Sequence, residues 1–142
     1  ACDHVVAGRD ARFGASFGKL GLMPDMGLLW TLPQRVGIGR ARRLMMLSEP
    51  VGAEEAHALG IVGTLAEPGA VQEAAMKKAR AFADAAPLPN RITKAALAAW
   101  PLALDPMLDH ESQGQGVLFG TEDLQEGLKA FYEKRAPRFA GR

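Results

Sequence analysis

The chain has 142 residues, enough for a folded domain with a core of its own. Hydrophobic residues make up 48% and charged residues 23%, and the formal net charge is +1, so no bulk charge points to nucleic acid or a membrane surface. The one cysteine, Cys2, excludes an internal disulfide, and His4, His57 and His110 match no metal-ligand spacing.

No apolar run is long enough to span a bilayer. The opening ACDHVVAG lacks the basic start and long apolar centre of a signal peptide. A reducing, cytoplasmic setting is expected, with Cys2 as a small buried apolar residue. The chain begins without Met, inside an apolar run, as a segment of a longer protein would.

His4 to Ala7 is a short β-branched run closed by the turn Gly8-Arg9-Asp10. Ala11 to Phe17 suits another extended piece. Gly18 to Gly27, with three glycines and Pro24, reads as a loop or broken helix. Leu28 to Arg35 is a two-turn helix with Pro33 inside it. Gly37 to Ser48 follows, with Ala41, Leu44, Met45 and Leu47 on its apolar side and Arg40, Arg42 and Arg43 on a solvated face. Ala53 to Leu59 is a short helix stopped by Gly60, and Ile61 to Leu65 is a brief strand.

Helical spacing resumes over Val71 to Ala86, closing before Pro87 and Pro89, and again over Asn90 to Trp100. Asp105-Pro106 reads as a cap followed by proline at the first helical position. Gly114 and Gly116 weaken the helix that follows, each by about 1 kcal/mol relative to alanine. Thr121 caps the last helix, Glu122 and Asp123 fill its first turn, and Lys134 and Arg135 its last. Leu124, Leu128, Phe131 and Tyr132 form its apolar stripe. His57 and His110 fall in helical patterns without an acid–base partner and read as structural or exposed. Strands this few and short need partners outside this sequence.

One stretch, Phe13 to Gly39, places a single acid, Asp25, among apolar and glycine residues, in the order strand, loop, acid, helix. Such an acid is either the N-cap of the helix or a catalytic group held out of water.

Several spaced motifs then agree in order. They are Cys2-Asp3, Phe13-Gly14, Gly21-Leu22-Met23-Pro24-Asp25-Met26-Gly27, Leu32-Pro33 through Val36-Gly37, AEEAHALGIV over Ala53 to Val62, and TEDLQEGLKAFYEKRAPRF over Thr121 to Phe139. Through them the whole chain resembles the enoyl-CoA hydratase/isomerase (crotonase) superfamily, and within it the phenylacetyl-CoA-pathway and enoyl-CoA isomerases. The resemblance implies an α/β fold: the C-terminal part of a crotonase (ClpP/crotonase-like) spiral, short strands followed by a mostly helical trimerisation region. Residues 1–65 would be spiral core with the active-site loop, and 66–142 the helical trimerisation region.

The activity implied is on an acyl-CoA thioester, as a double-bond isomerase working through an enolate. Asp25 matches the proton-shuttling Asp of the isomerases. Phe17 falls where many hydratases carry their second catalytic Glu, which argues against hydration by paired carboxylates. Phe17, Leu22, Met23, Gly27, Leu28 and Trp30 would line the substrate site, with plain core packing as the alternative for the apolar ones. Phe131 and Lys134 would contact CoA, with a solvated helix-end charge as the alternative for Lys134.

The related isomerases show Gly-Gly-Thr after this Asp, whereas Gly27 is followed here by Leu28 and Leu29. Coenzyme A would enter as part of the substrate, with no further cofactor and no metal. Expected partners are the N-terminal half of the same protein, supplying the oxyanion hole, and further copies in a homotrimer or dimer of trimers. A hydratase or thioester hydrolase on the same fold, and a non-catalytic acyl-CoA-binding or assembly module, are the other readings. Fatty acid metabolism and phenylacetate catabolism both stand open as settings.

Overall fold

A computed structural model of the chain describes residues 2–142. It divides into two compact units, Ala1–Lys78 and Ala79–Arg142.

The first unit holds four short strands and the helices between them. β1 (Val6–Gly8) runs parallel to β4 (Thr64–Ala66), with Val6 opposite Thr64 and Gly8 opposite Ala66. A parallel pair needs a long crossover, and here it contains α1 (Leu28–Val36), α2 (Ile38–Met46) and α3 (Ala53–Ala58). β2 (Arg12–Phe13) pairs antiparallel with β3 (Val51–Gly52). His4 steadies the start of the parallel pair: its Nε2 lies 2.9 Å from Thr64 Oγ1. Its ring sits over Gly63, where a Cβ would meet the imidazole at 2.4 Å.

The core of this unit is small side chains brought close together. Ala7, Ala15, Val36, Ala41, Leu44, Met45, Val51, Ala56 and Val62 are buried in one cluster, and Phe13, Phe17, Leu28 and Leu32 pack against it from the rim. Ala41, Leu44 and Met45 recur at helical spacing, which turns one face of α2 inward. Arg40, Arg42 and Arg43 are exposed on the other side, as the pattern predicts. Gly60, at φ +81°, ends the turn after α3. Cys2 departs from expectation: it is exposed, because the strand that would bury it starts four residues later, at Val6.

α4 (Val71–Ala83) contains the division between the units. In the second unit α5 (Pro87–Ala98) begins three residues earlier than the sequence suggests. Pro87 starts this helix, because a proline at the first helical position gives up an N–H that has no partner there anyway. The same logic displaces the next start. α6 (Leu104–Leu118) is capped by Ala103, and Asp105 and Pro106 lie inside its first turn. Gly114 is buried in α6, and a Cβ on it would meet Ile92 Cγ2 of α5 at 2.9 Å.

α7 (Glu122–Glu133) starts as expected: the Leu124 N–H donates to Thr121 Oγ1 at 3.2 Å. It ends two residues early. Lys134 is the left-handed C-cap at φ +52°, so Lys134 and Arg135 lie beyond the last turn. Arg135 folds back onto Glu126, donating from Nη1 at 2.6 Å and Nη2 at 2.9 Å. The closing residues return to the helix as well. Asp123, 4% exposed, accepts from the Ala140 N–H at 2.6 Å and the Gly141 N–H at 2.8 Å, and Glu126 accepts from the Arg138 N–H at 2.8 Å. The expected stripe of α7 is largely bare: Phe131 and Tyr132 are 78% and 79% exposed. Asp123 and Ala130 are what the helix buries.

Candidate active-site loop

The segment between β2 and α1 is built by turns that hydrogen-bond to themselves. A short 3-10 helix, Ser16–Leu20, ends at Gly21 with φ +71°, and the Leu22 N–H returns to the Phe17 carbonyl at 3.0 Å. Pro24 leads into a second turn, which the Leu28 N–H closes on the Asp25 carbonyl at 2.9 Å. Its two central residues, Met26 at φ +50° and Gly27 at φ +79°, are both left-handed. That geometry suits glycine and costs a methionine about 1–2 kcal/mol. The Gly27 carbonyl then starts α1, accepting from the Thr31 N–H at 2.9 Å and from Thr31 Oγ1 at 3.0 Å.

This turn decides between the two roles open to Asp25. The helix cap is Gly27, and no side chain makes a capping hydrogen bond there. Asp25 stands two residues too early, its main chain spent on the turn. Its carboxylate takes no hydrogen bond or ion pair from the described residues. The N-cap reading therefore falls.

The expectation of an acid held out of water is not met within these residues. Asp25 is exposed, because the side chains beside it turn outward with it: Leu22, Met23, Met26, Leu29 and Trp30 are exposed large hydrophobics, Met26 at 98%. Five large apolar residues exposed within nine positions are more than the single scattered ones usual on a surface.

The apolar residues flagged in the sequence separate into two groups. Phe17 and Leu28 are half-buried against the core cluster, so one face of each is structural. Leu22, Met23 and Trp30 are exposed and stand apart from the core and its rim. The two leucines after Gly27 likewise part company, Leu28 against the core and Leu29 half exposed. Gly27 supplies the positive φ of the turn.

Phe131 and Lys134 belong to the second unit. The Phe131 ring meets Tyr132 edge to face at 5.8 Å. Lys134 has its backbone in the cap, and its amino group has no partner among the described residues. Met26 was passed over in the sequence, although its place between an acid and a glycine in a turn was the available signal. Among the described residues, no three His, Cys, Asp or Glu side chains are grouped to hold a metal ion. No helix among them is long and apolar enough to cross a membrane.

Comparison with known proteins places this loop in a family. The sequence profile described as enoyl-CoA hydratase/isomerase matches residues 1–142. The chain is 36% identical over 141 residues to the 1,2-epoxyphenylacetyl-CoA isomerase of Escherichia coli K12, covering 99% of this chain and 54% of that protein. It is 37% identical over 142 residues to the 2,3-dehydroadipyl-CoA hydratase of the same organism, covering 99% and 56%. The crystal structure of an enoyl-CoA hydratase from Bacillus anthracis superposes with a TM-score of 0.93 at 31% identity, over 99% of this chain and 55% of that one. The chain spans about half the length of the curated relatives it matches. It belongs to the enoyl-CoA hydratase/isomerase family and has the crotonase fold over its length.

Proposed function

We propose that the protein containing this chain moves a double bond along an enoyl-CoA thioester, with Asp25 as the single group that takes and returns the proton. The observation that carries this reading is the Asp25 carboxylate itself, excluded from the helix cap and unpaired among the described residues, on a turn flanked in sequence by exposed apolar residues.

The chemistry needs little more. The carbon next to a thioester carbonyl is weakly acidic. In a 3-enoyl thioester, removing a proton there gives a dienolate whose charge sits largely on the carbonyl oxygen. Two N–H donors aimed at that oxygen stabilise it by a few kcal/mol each, and in this reading the other half of the protein supplies them. Asp25 then returns the proton two carbons further along, base first and acid second. Coenzyme A is part of the substrate, and no separate cofactor takes part.

Water is not a reactant in this shift, and Phe17 in place of a second acid agrees with that. In this reading the exposed Leu22, Met23, Leu29 and Trp30 help keep the site dry once the rest of the protein covers them. The apolar surfaces of the second unit, including Phe119, Leu128 and Phe131, suit contact with further copies in a homotrimer or dimer of trimers. Phe131 and Lys134 suit contact with the CoA moiety, the lysine through phosphate. A cytoplasmic location agrees with this substrate class.

Hydration of a 2-enoyl-CoA is the second reading, favoured by relatives named as hydratases at equal identity. Turnover of 3-enoyl-CoA and 2-enoyl-CoA by the complete protein in oxygen-18 water separates the two. Conversion of the 3-enoyl to the 2-enoyl thioester without label supports isomerisation. Fast incorporation of label into a 3-hydroxyacyl-CoA, retained in Asp25→Asn, supports hydration by an acid elsewhere. Tight CoA binding with neither reaction would mark a non-catalytic binder.

A further inference from the structure

We propose that Met26 sets the acyl-chain preference of this site, its side chain serving as the apolar contact for the thioester's acyl chain beside the carbons Asp25 protonates. The proposal rests on the reading of Asp25 given above.

Three non-glycine residues among those described have left-handed backbone: Met26, Ser48 and Lys134. Two of them are explained where they stand. Ser48 is 2% exposed and donates from Oγ to the Met45 carbonyl at 3.4 Å. It packs so closely on Gly18 that a Cβ there would lie 2.9 Å from its hydroxyl. Lys134 is a helix C-cap, where left-handed backbone is usual.

Met26 gains nothing comparable. It occupies a turn position that favours Gly, Asn or Asp, and its side chain is almost wholly exposed. A long side chain is thus strained in its backbone, a strain that glycine removes and asparagine or aspartate lowers, and it gains no burial in return. The side chain is open to whatever lies along the turn that carries Asp25. Two carbons of one acyl chain have to present themselves in turn to the Asp25 carboxylate. Such a chain lies alongside the turn, and the neighbouring Cα is only about 3.8 Å away. An unbranched, polarizable thioether suits that contact, because it adapts to apolar shapes of differing length.

The test compares kcat/KM of the complete protein for 3-dodecenoyl-CoA and 3-hexenoyl-CoA, in wild type, Met26→Gly, Met26→Leu and Met26→Gln, with Asp25→Asn alongside. Met26→Gly relieves the backbone, so it is expected to melt at a higher temperature than wild type while its long-to-short ratio shifts by about tenfold, carried mainly in KM. Met26→Gln, similar in size but polar, is expected to shift the ratio the same way, and Met26→Leu to restore it. A ratio unchanged in both Met26→Gly and Met26→Gln, with Asp25→Asn inactive, overturns this inference and leaves the reading of Asp25 intact. Full activity in Asp25→Asn overturns that reading, and this inference with it.

Discussion

The Leu28 N–H donates to the Asp25 carbonyl oxygen at 2.9 Å. That bond closes a turn on the main chain of Asp25 and leaves the side chain without structural work, because Gly27 takes the cap position. A carboxylate that holds nothing together is dispensable for folding. Asp25→Asn and Asp25→Ala are therefore expected to change unfolding free energy by no more than about 0.5 kcal/mol. Urea denaturation of the variants checks this. A loss above 1 kcal/mol would return the residue to a structural role, since an N-cap replaced by alanine costs about that much.

Two glycines in α6 should respond oppositely to the same change. A methyl group at Gly116 meets nothing within 4 Å, so Gly116→Ala is expected to stabilise by about 0.5–1 kcal/mol through helix propensity. At Gly114 it would meet Ile92 Cγ2 at 2.9 Å, a methyl on a β-branched side chain that cannot swing aside freely. The strain, about 1–3 kcal/mol, outweighs the same propensity gain, and Gly114→Ala is expected to destabilise. A thermal melt of each variant decides. Gly114→Ala should cost less in an Ile92→Ala background than in wild type if the contact is its cause.

Stability should also fall in acid through Glu126. Hydrogen bonds from Arg135, and then from the Arg138 backbone N–H, hold its carboxyl at about 2, below its ordinary value of 4.5. A carboxyl depressed in the folded state stabilises it fully above the unfolded value. That contribution drains away as pH drops from about 4.5 through about 2. Denaturation midpoints measured across that window should fall less steeply in Glu126→Gln than in wild type. Equal slopes would mean that the bond from Arg135 is lost to solvent.

Much of this was legible in the residues. Helical spacing located α1 through α7, most clearly in α2, where Ala41, Leu44 and Met45 turn one face inward, and Thr121 announced its cap by residue type. The misses have local causes. β3 is two residues after Pro50, too short for alternation to register. Pro87 and Asp105-Pro106 mark helix starts, but a first turn tolerates proline at several positions, so their exact register was not readable. Arg135 looked like a charge complementing a helix end, although Lys134 turns left-handed before it and sends it back to Glu126.

At the candidate site the pattern around Asp25 was readable, and its surroundings were not. Apolar neighbours in sequence suggested burial, yet Leu22, Met23 and Trp30 face outward in a chain about half the length of its relatives. Burial is a property of everything that packs on a surface, and sequence spacing within one segment carries only the segment's own share.

The central claim is that Asp25 moves the proton. Its most direct test is the steady-state rate at which the complete protein converts a 3-enoyl-CoA to the 2-enoyl isomer, measured for wild type and Asp25→Asn under the same conditions. Loss of a positioned acid–base group is expected to lower kcat by about 100- to 10,000-fold, with the fold intact by denaturation. Equal rates in the two proteins would contradict the claim.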